Sequence, residues 1–317
     1  MTRIAILLPC HNEAQTIART VKAFRQAVPT ADVWVCDNAS GDATSTEALS
    51  AGAITIVEPR LGKGEAVRRL FGEVDADVYV LCDGDSTYDA SSAQEMIDKL
   101  VRERLDMVVG NRLSQEGQGL FRLGHRLGNR GFSLAVQYFF DSKFCDLLSG
   151  YRVFSRRFVK TFAAESKGFE IETELTIFAL ESRIPVGEID VKYFARPEGS
   201  TSKLSTYKDG FRILRTIILL VRDVRPLPFF SFLAGLMMTV GVAVFIPIWQ
   251  TFLSTHLVPK IPSVILISLL FILAVVSLAC GVILDRVASN RRYQQRIAYL
   301  AQPAPPYAPA GDRAATT

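Results

Sequence analysis

Cysteine is scarce in this chain, with five in 317 residues and no CxxC pair. That excludes a disulfide-framed scaffold and a zinc site of paired cysteines, and fits a reducing compartment. Three histidines, His11, His125 and His256, are too scattered to gather a metal. Charge of one sign is also lacking: 36 basic residues against 32 acidic leave a net +4, too little to expect a nucleic-acid partner. No G-x-G-x-x-G follows the first apolar run, so a dinucleotide dehydrogenase is excluded. Gly62–Lys63–Gly64 lacks the frame of a P-loop, because glycine rather than Ser or Thr follows the lysine. The opening TRIAILLPC is too short for a signal peptide and reads as a strand.

Apolar residues are plentiful, at 49%, and the excess is local. FFSFLAGLMMTVGVAVFIPIWQTFL (229–253) and SVILISLLFILAVVSLACGVIL (263–284) carry no charge. Each exceeds the roughly 20 residues that a helix needs to cross a bilayer. THLVPKIP joins them, with Pro259 and Pro262 marking a turn, so a transmembrane hairpin over 227–285 is expected. Arg212, Arg215, Arg222 and Arg225 precede the first run, and Arg286, Arg291, Arg292 and Arg296 follow the second. The connecting loop has Lys260 alone. The positive-inside rule therefore predicts a multi-pass inner-membrane protein with its N-terminal domain and both termini in the cytoplasm. Residues 205–226 read as an amphipathic juxtamembrane helix, with Phe211, Leu214, Ile217, Ile218 and Val221 on one face and arginines on another. Residues 286–317 read as a basic cytoplasmic segment and a disordered Pro/Ala-rich tail.

Residues 1–204 alternate apolar β-branched runs with polar amphipathic ones. Ile4–Leu8, Val33–Cys36, Ile54–Val57, Val78–Cys82 and Met107–Val109 predict buried parallel strands. Helices are predicted around 14–27, 44–51, 64–71 and 91–104. The alternation predicts an α/β fold, Rossmann-like, with a mostly parallel sheet. Ligands of such sheets bind at the carboxyl ends of the strands, where Asn12–Glu13, Asp37–Asn38, Asp83–Gly84–Asp85 and Asn111–Arg112 fall. Asp83 and Asp85 in LCDGDSTYD are hard oxygen ligands, suited to Mg2+ or Mn2+, with Gly84 allowing a sharp bend between them. Asp37 and Asp42 also suit turns and caps.

The ordered set LPCHNEAQTI, CDNASGDAT, RLGKGEA, LCDGDSTYD, VGNR, DLLSGYRVFSR, GFEIETE and ARPEGSTSKL resembles the dolichyl-phosphate-mannose-synthase-like branch of family 2 glycosyltransferases. With the hairpin, the chain is similar to bacterial polyprenyl-phosphate glycosyltransferases of that branch. The resemblance implies a GT-A catalytic domain, a nucleotide-sugar donor, a divalent metal and a polyprenyl-phosphate acceptor. By it, Pro9, Glu13, Asp37 and Lys63 face the nucleotide, Asp83 and Asp85 hold the metal, and Glu172 touches the sugar. Glu170 stands where related enzymes often have glutamine. Asp146 matches the carboxylate usually proposed as base, although positioning the sugar or acceptor is the alternative role. Arg112 and Arg126 match the arginines that contact the acceptor phosphate. Arg130 extends the Arg122–Arg126 stripe at helical spacing, which also suits a solvated face. Arg196 and Lys203 lie in the segment resembling the family's closing loop.

The implied reaction is inverting transfer to an undecaprenyl-type phosphate, giving a sugar-lipid for cell-envelope glycan or lipid modification. The hairpin layout favours a UDP-sugar, with GDP-mannose as the alternative. A processive polysaccharide synthase needs more spans and a QxxRW motif, and the chain's tryptophans, Trp34 and Trp249, stand outside any such motif. A non-catalytic membrane scaffold that keeps the fold is the other alternative. A homo-oligomer is left open.

Overall fold

The structure is a computed structural model that describes residues 2–112, 146, 149–163, 166, 168, 170–194, 219, 222–258 and 261–304. The chain divides into two compact units, Met1–Thr206 with Gln295–Thr317, and Tyr207–Gln294.

In the first unit the β-branched runs form strands β1 (Ile4–Cys10), β2 (Ala31–Asp37), β3 (Ile54–Val57), β4 (Val78–Leu81) and β5 (Met107–Asn111), followed by β6 (Arg152–Ser155) and β7 (Val186–Asp190). Helices α1 (Ile17–Ala27), α2 (Thr44–Ser50), α3 (Lys63–Glu73) and α4 (Ser92–Arg102) link the early strands, and α5 (Arg156–Thr161) and α6 (Ile171–Glu181) follow β6. The sheet order is β3-β2-β1-β4-β6-β5-β7, parallel except where β6 runs antiparallel between β4 and β5. Both faces of the sheet are covered, as a mostly parallel sheet requires. Along β1, Ile6, Leu8 and Cys10 join the core beneath α1 and α4, while Ala5 and Leu7 join the opposite core with α3, α5 and α6.

One expectation is corrected. The third strand is not buried: Ile54 is 43% exposed and Val57 58%, because β3 is the sheet's edge and only β2 pairs with it. The paired-aspartate loop turns at Gly84 and Asp85, as expected, and its left-handed residue is Ser86, at φ 57°. At Gly84 a Cβ would overlap the Cys10 Sγ. Gly84→Ala should therefore destabilise the protein by about 1–3 kcal/mol through overpacking, and adding Cys10→Ala should recover part of it. Equal unfolding midpoints for the single and double variants would contradict this account.

In the second unit, α7 (Pro226–Thr255) and α8 (Ile261–Ala301) are long and apolar enough to cross a membrane. Proline opens α7, where its missing N–H costs nothing, and His256 caps it in the left-handed region. Small residues bring the two helices together: Gly241 faces Phe271, Gly281 faces Phe230, and Ser277 donates to the Phe230 carbonyl at 3.2 Å. Phe232, Ile265 and Val275 are more than 60% exposed, so these helices are not the core of a water-soluble bundle.

Helix α8 continues well past the expected end of the second span, to Ala301. Its last turns belong to the first unit. Tyr299 is buried in the core with Met107 and Phe158, and its hydroxyl donates to the Asp106 carboxylate at 2.6 Å. Arg157 pairs with that carboxylate at 2.7 Å and lies over the Tyr299 ring at 4.1 Å.

Candidate active site

The strand order reverses direction around β1, whose neighbours are β2 on one side and β4 on the other. Crevices form at the carboxyl ends of strands at such a switch point. The loop after β1 is stitched to the loop after β2: the Asn12 amide donates to Ser40 Oγ at 3.0 Å, the Gly41 amide to Asn12 Oδ1 at 2.8 Å, and the Ala14 amide to Asp42 Oδ2 at 3.1 Å. Glu13 tightens the entry to α1, where Thr16 Oγ1 donates to its carboxylate at 3.0 Å. Pro9 is buried near the end of β1, in register with Cys36. Asp37 is buried at the end of β2 and accepts the Ser40 amide at 3.1 Å, while Asp42 caps the start of α2 by accepting the Thr44 amide at 3.0 Å.

The sequence places Asn38 at the carboxyl end of the second strand but gives it no role. Its side chain donates to the carbonyls of Glu58 at 3.1 Å and Arg60 at 2.6 Å and accepts the Gly62 amide at 2.7 Å, so it fixes the RLGKG loop. Gly62, at φ 143°, turns that loop into α3 and delivers Lys63 as the helix's first residue. Within the loop, the Arg60 amide and Nε both donate to Glu58 Oε1 at 2.9 Å. These bonds from Arg60 hold the Glu58 carboxyl down at about 2. An unfolded glutamate titrates near ~4.3, so the loop's stabilisation is complete above that pH and is lost as pH falls toward about 2. Glu58→Gln should lower the melting temperature at pH 7, and the gap to the parent should narrow on acidification below about pH 4.3. A gap constant from pH 7 to pH 3 would contradict the assignment.

Lys63 reaches into the sheet edge and pairs with both Asp83, after β4, and Glu172, in the first turn of α6. Burial opposes its charge, but the two carboxylates outweigh that and hold the ammonium above the usual lysine range. Glu172 is buried, and its Oε2 has no hydrogen-bond partner among the described residues. Gly150 leaves room for Asp83: a Cβ there would lie 2.5 Å from Oδ2. Asp85 is buried, and its Oδ1 accepts the Thr87 hydroxyl at 2.6 Å and the Thr87 amide at 3.2 Å.

A second cluster lies at the end of β5. Arg112 grips Asp146 in bidentate fashion, Nε to Oδ2 at 2.7 Å and Nη2 to Oδ1 at 3.0 Å, and its amide donates to Oδ2 at 3.2 Å. The Arg112 guanidinium also lies 5.5 Å from the centre of the Tyr193 ring. Tyr88 links the two clusters, accepting the Gly150 amide at 2.9 Å while its ring packs on Tyr193.

Beneath both clusters is Arg152, fully buried and missed from sequence. It donates to the Ser149 carbonyl and to Thr176 Oγ1, each at 2.9 Å. Burial pulls its pKa down to about 10, against the pull of Glu172 and Asp146. The thiols Cys10, Cys36 and Cys82 are pushed up, chiefly by burial, which makes them packing groups rather than nucleophiles. Arg126, Arg130, Arg196, Lys203 and, apart from Leu219, residues 205–221 of the expected juxtamembrane helix lie outside the described residues.

Among the described residues no group of three or more His, Cys, Asp or Glu could hold a metal ion. A divalent ion would thus rest on one or two carboxylates plus ligand oxygens, which is how Mg2+ is commonly held. The Asp83–Asp85 pair fits that role: two all-oxygen donors two residues apart at a strand end, with Asp83 partly exposed.

A covered mixed sheet of this order, with acidic loops gathered at its switch point, has the GT-A-type architecture. The chain belongs to glycosyltransferase family 2, whose profile, "Glycosyl transferase family 2", matches residues 5–162. Glycosyltransferase AglJ of Haloferax volcanii is 33% identical over 92% of this chain and 96% of its own length. The undecaprenyl-phosphate mannosyltransferase of Micrococcus luteus is 24% identical, over 64% of this chain and 88% of its own. The fold is shared with glucosyl-3-phosphoglycerate synthase of Mycobacterium tuberculosis in complex with Mn2+ and UDP-glucose, with a TM-score of 0.56 and 20% identity over 69% of this chain and 78% of that one.

Proposed function

We propose that this family 2 enzyme transfers a sugar from a nucleotide-sugar donor, with UDP favoured, to an undecaprenyl-type polyprenyl phosphate at the cytoplasmic membrane face. The observation that carries this reading is the union, in one chain, of the Lys63–Asp83–Glu172 edge with two helices long and apolar enough to span a bilayer. The similarity to an undecaprenyl-phosphate mannosyltransferase supports the acceptor, and the neighbouring fold that binds UDP-glucose with Mn2+ supports the donor class and the metal.

A phosphate oxygen of the acceptor attacks the anomeric carbon, forming a new C–O bond as the bond to the nucleoside diphosphate breaks. The sugar configuration inverts. A phosphate monoester has a second pKa near ~6, so this nucleophile is already largely ionised at neutral pH and needs little help from a base. Asp146, with both oxygens held by Arg112, then serves to set the arginine toward the acceptor phosphate. Asp83 and Asp85 would hold Mg2+ or Mn2+, and the ion would supply positive charge for the leaving diphosphate. Pro9, Glu13 and Asp37 line the nucleotide side of the crevice, and Glu172 Oε2, without a hydrogen-bond partner among the described residues, offers an acceptor for a sugar hydroxyl. Arg126, Arg130, Arg196 and Lys203 complete the anion-binding side in this reading.

The test is a screen of UDP- and GDP-sugars against one polyprenyl phosphate, with Mn2+ or Mg2+, scored as sugar-lipid formed. A UDP-sugar product is expected. A product from GDP-mannose alone would move the donor assignment, and none from any donor would leave a non-catalytic scaffold.

A further inference from the structure

Lys63 engages, within the protein, the very carboxylate that a divalent ion would need. Its ammonium pairs with Asp83 and Glu172 together, and its side chain is only 10% exposed, so this is a built contact rather than a surface encounter. Three features of the structure favour the contact. Asn38 and Gly62 set the loop that delivers the lysine, Gly150 leaves room for the other oxygen of Asp83, and Glu172 is sunk in the first turn of α6. A monovalent cation seated on Asp83 competes with a divalent one by charge and by space. It can leave only when another anion takes it, and a nucleoside diphosphate arriving at this edge supplies one.

We propose that Lys63 is a resident counter-cation that suppresses metal binding to the nucleotide-free enzyme, moving to the diphosphate when the donor arrives and so releasing Asp83 to the metal. The inference rests on the reading of Asp83 and Asp85 as the metal-holding pair. Metal and nucleotide binding are then positively coupled, and linkage makes the coupling reciprocal. Lys63 is a positioning residue in this scheme. Its signature is a change in metal affinity in the absence of any turnover.

The experiment is a titration of the full-length protein in detergent micelles with Mn2+, followed by loss of the free-ion electron paramagnetic resonance signal, without nucleotide and with UDP or GDP. For the parent, the nucleoside diphosphate should tighten Mn2+ binding by about 10-fold or more, within the usual range of coupling between sites. Lys63→Met should tighten nucleotide-free Mn2+ binding by about 5-fold and shrink the gain on adding nucleotide. Lys63→Arg, which keeps the charge, should behave like the parent. Glu172→Gln removes the lysine's second anchor but not its charge, so nucleotide-free binding should stay weak, and this holds the test open if Lys63→Met fails to fold. Unchanged or weaker nucleotide-free affinity in Lys63→Met, or tighter affinity in Glu172→Gln, overturns the proposal. If the parent and every variant bind no Mn2+ even with UDP or GDP, the assignment of Asp83 and Asp85 fails first and the inference with it. Normal nucleotide-dependent Mn2+ binding with no effect of Lys63→Met rejects the lysine's role alone.

Discussion

Asp85→Ala should abolish sugar transfer, reducing turnover by about 10³-fold or more. A bound divalent ion contributes several kcal/mol of charge stabilisation to a departing phosphate, and each ~1.4 kcal/mol is tenfold in rate. The side chain also has a structural duty, because its Oδ1 accepts both the amide and the hydroxyl of Thr87. Alanine removes this acceptor along with the proposed metal ligand, so a melting temperature must accompany the rate. Asp85→Asn separates them: its carbonyl oxygen still accepts from Thr87, but the negative charge is gone. The expected outcome is a near-normal melting temperature for the asparagine variant with turnover as poor as the alanine variant's. Parent-like transfer by Asp85→Asn at limiting Mn2+ would take this residue out of the metal site.

Breaking the Arg112–Asp146 pair should be the most damaging change to the fold of the site. The Asp146 side chain is fully buried and that of Arg112 only 14% exposed. Removing one member of a buried ion pair strands the other charge, which typically costs about 3–5 kcal/mol. Arg112→Ala should therefore lower stability by that order and abolish transfer. Asp146→Asn, which keeps one acceptor for the guanidinium, should cost less stability while still misdirecting the arginine. In a double variant, Arg112→Met with Asp146→Leu, the stability loss should be smaller than the sum of the two single changes, because no charge is left uncompensated. Transfer should remain absent. If Asp146→Asn leaves stability and the KM for the polyprenyl phosphate untouched and lowers only kcat, with loss of the acidic limb of the pH profile, Asp146 acts as a base and the positioning role is wrong.

The layer architecture was legible because each early strand is a short apolar run bounded by polar loops, and each intervening helix repeats its apolar residues at helical spacing. Ile54–Val57 was bounded correctly yet misjudged as buried, since periodicity does not say which strand ends the sheet. Strand β6 was missed: it begins with a fully buried arginine, a residue type seldom found inside. Within the site, single residues could be nominated from LCDGDSTYD and VGNR, but not their partners. Lys63, Asp83 and Glu172 come from three segments that meet only once the strand order is known. Arg112 was matched to an acceptor phosphate without its link to Asp146, 34 positions away. Asn38 carries no signal of its own beyond a turn-forming residue type, and its work is done by bonds to a loop 20 to 24 positions on.

Tyr299 bears on how the molecule matures. Its ring fills a place in the packed interior of the sugar-transferring unit, against residues such as Met107 and Phe158. That place stays vacant during synthesis until both apolar helices have been made, because the tyrosine is encoded after them. An N-terminal fragment released early would carry Asp106 without one of its partners and a gap in the packing beside it. The packing of this core is therefore complete only once both hydrophobic helices have been synthesised.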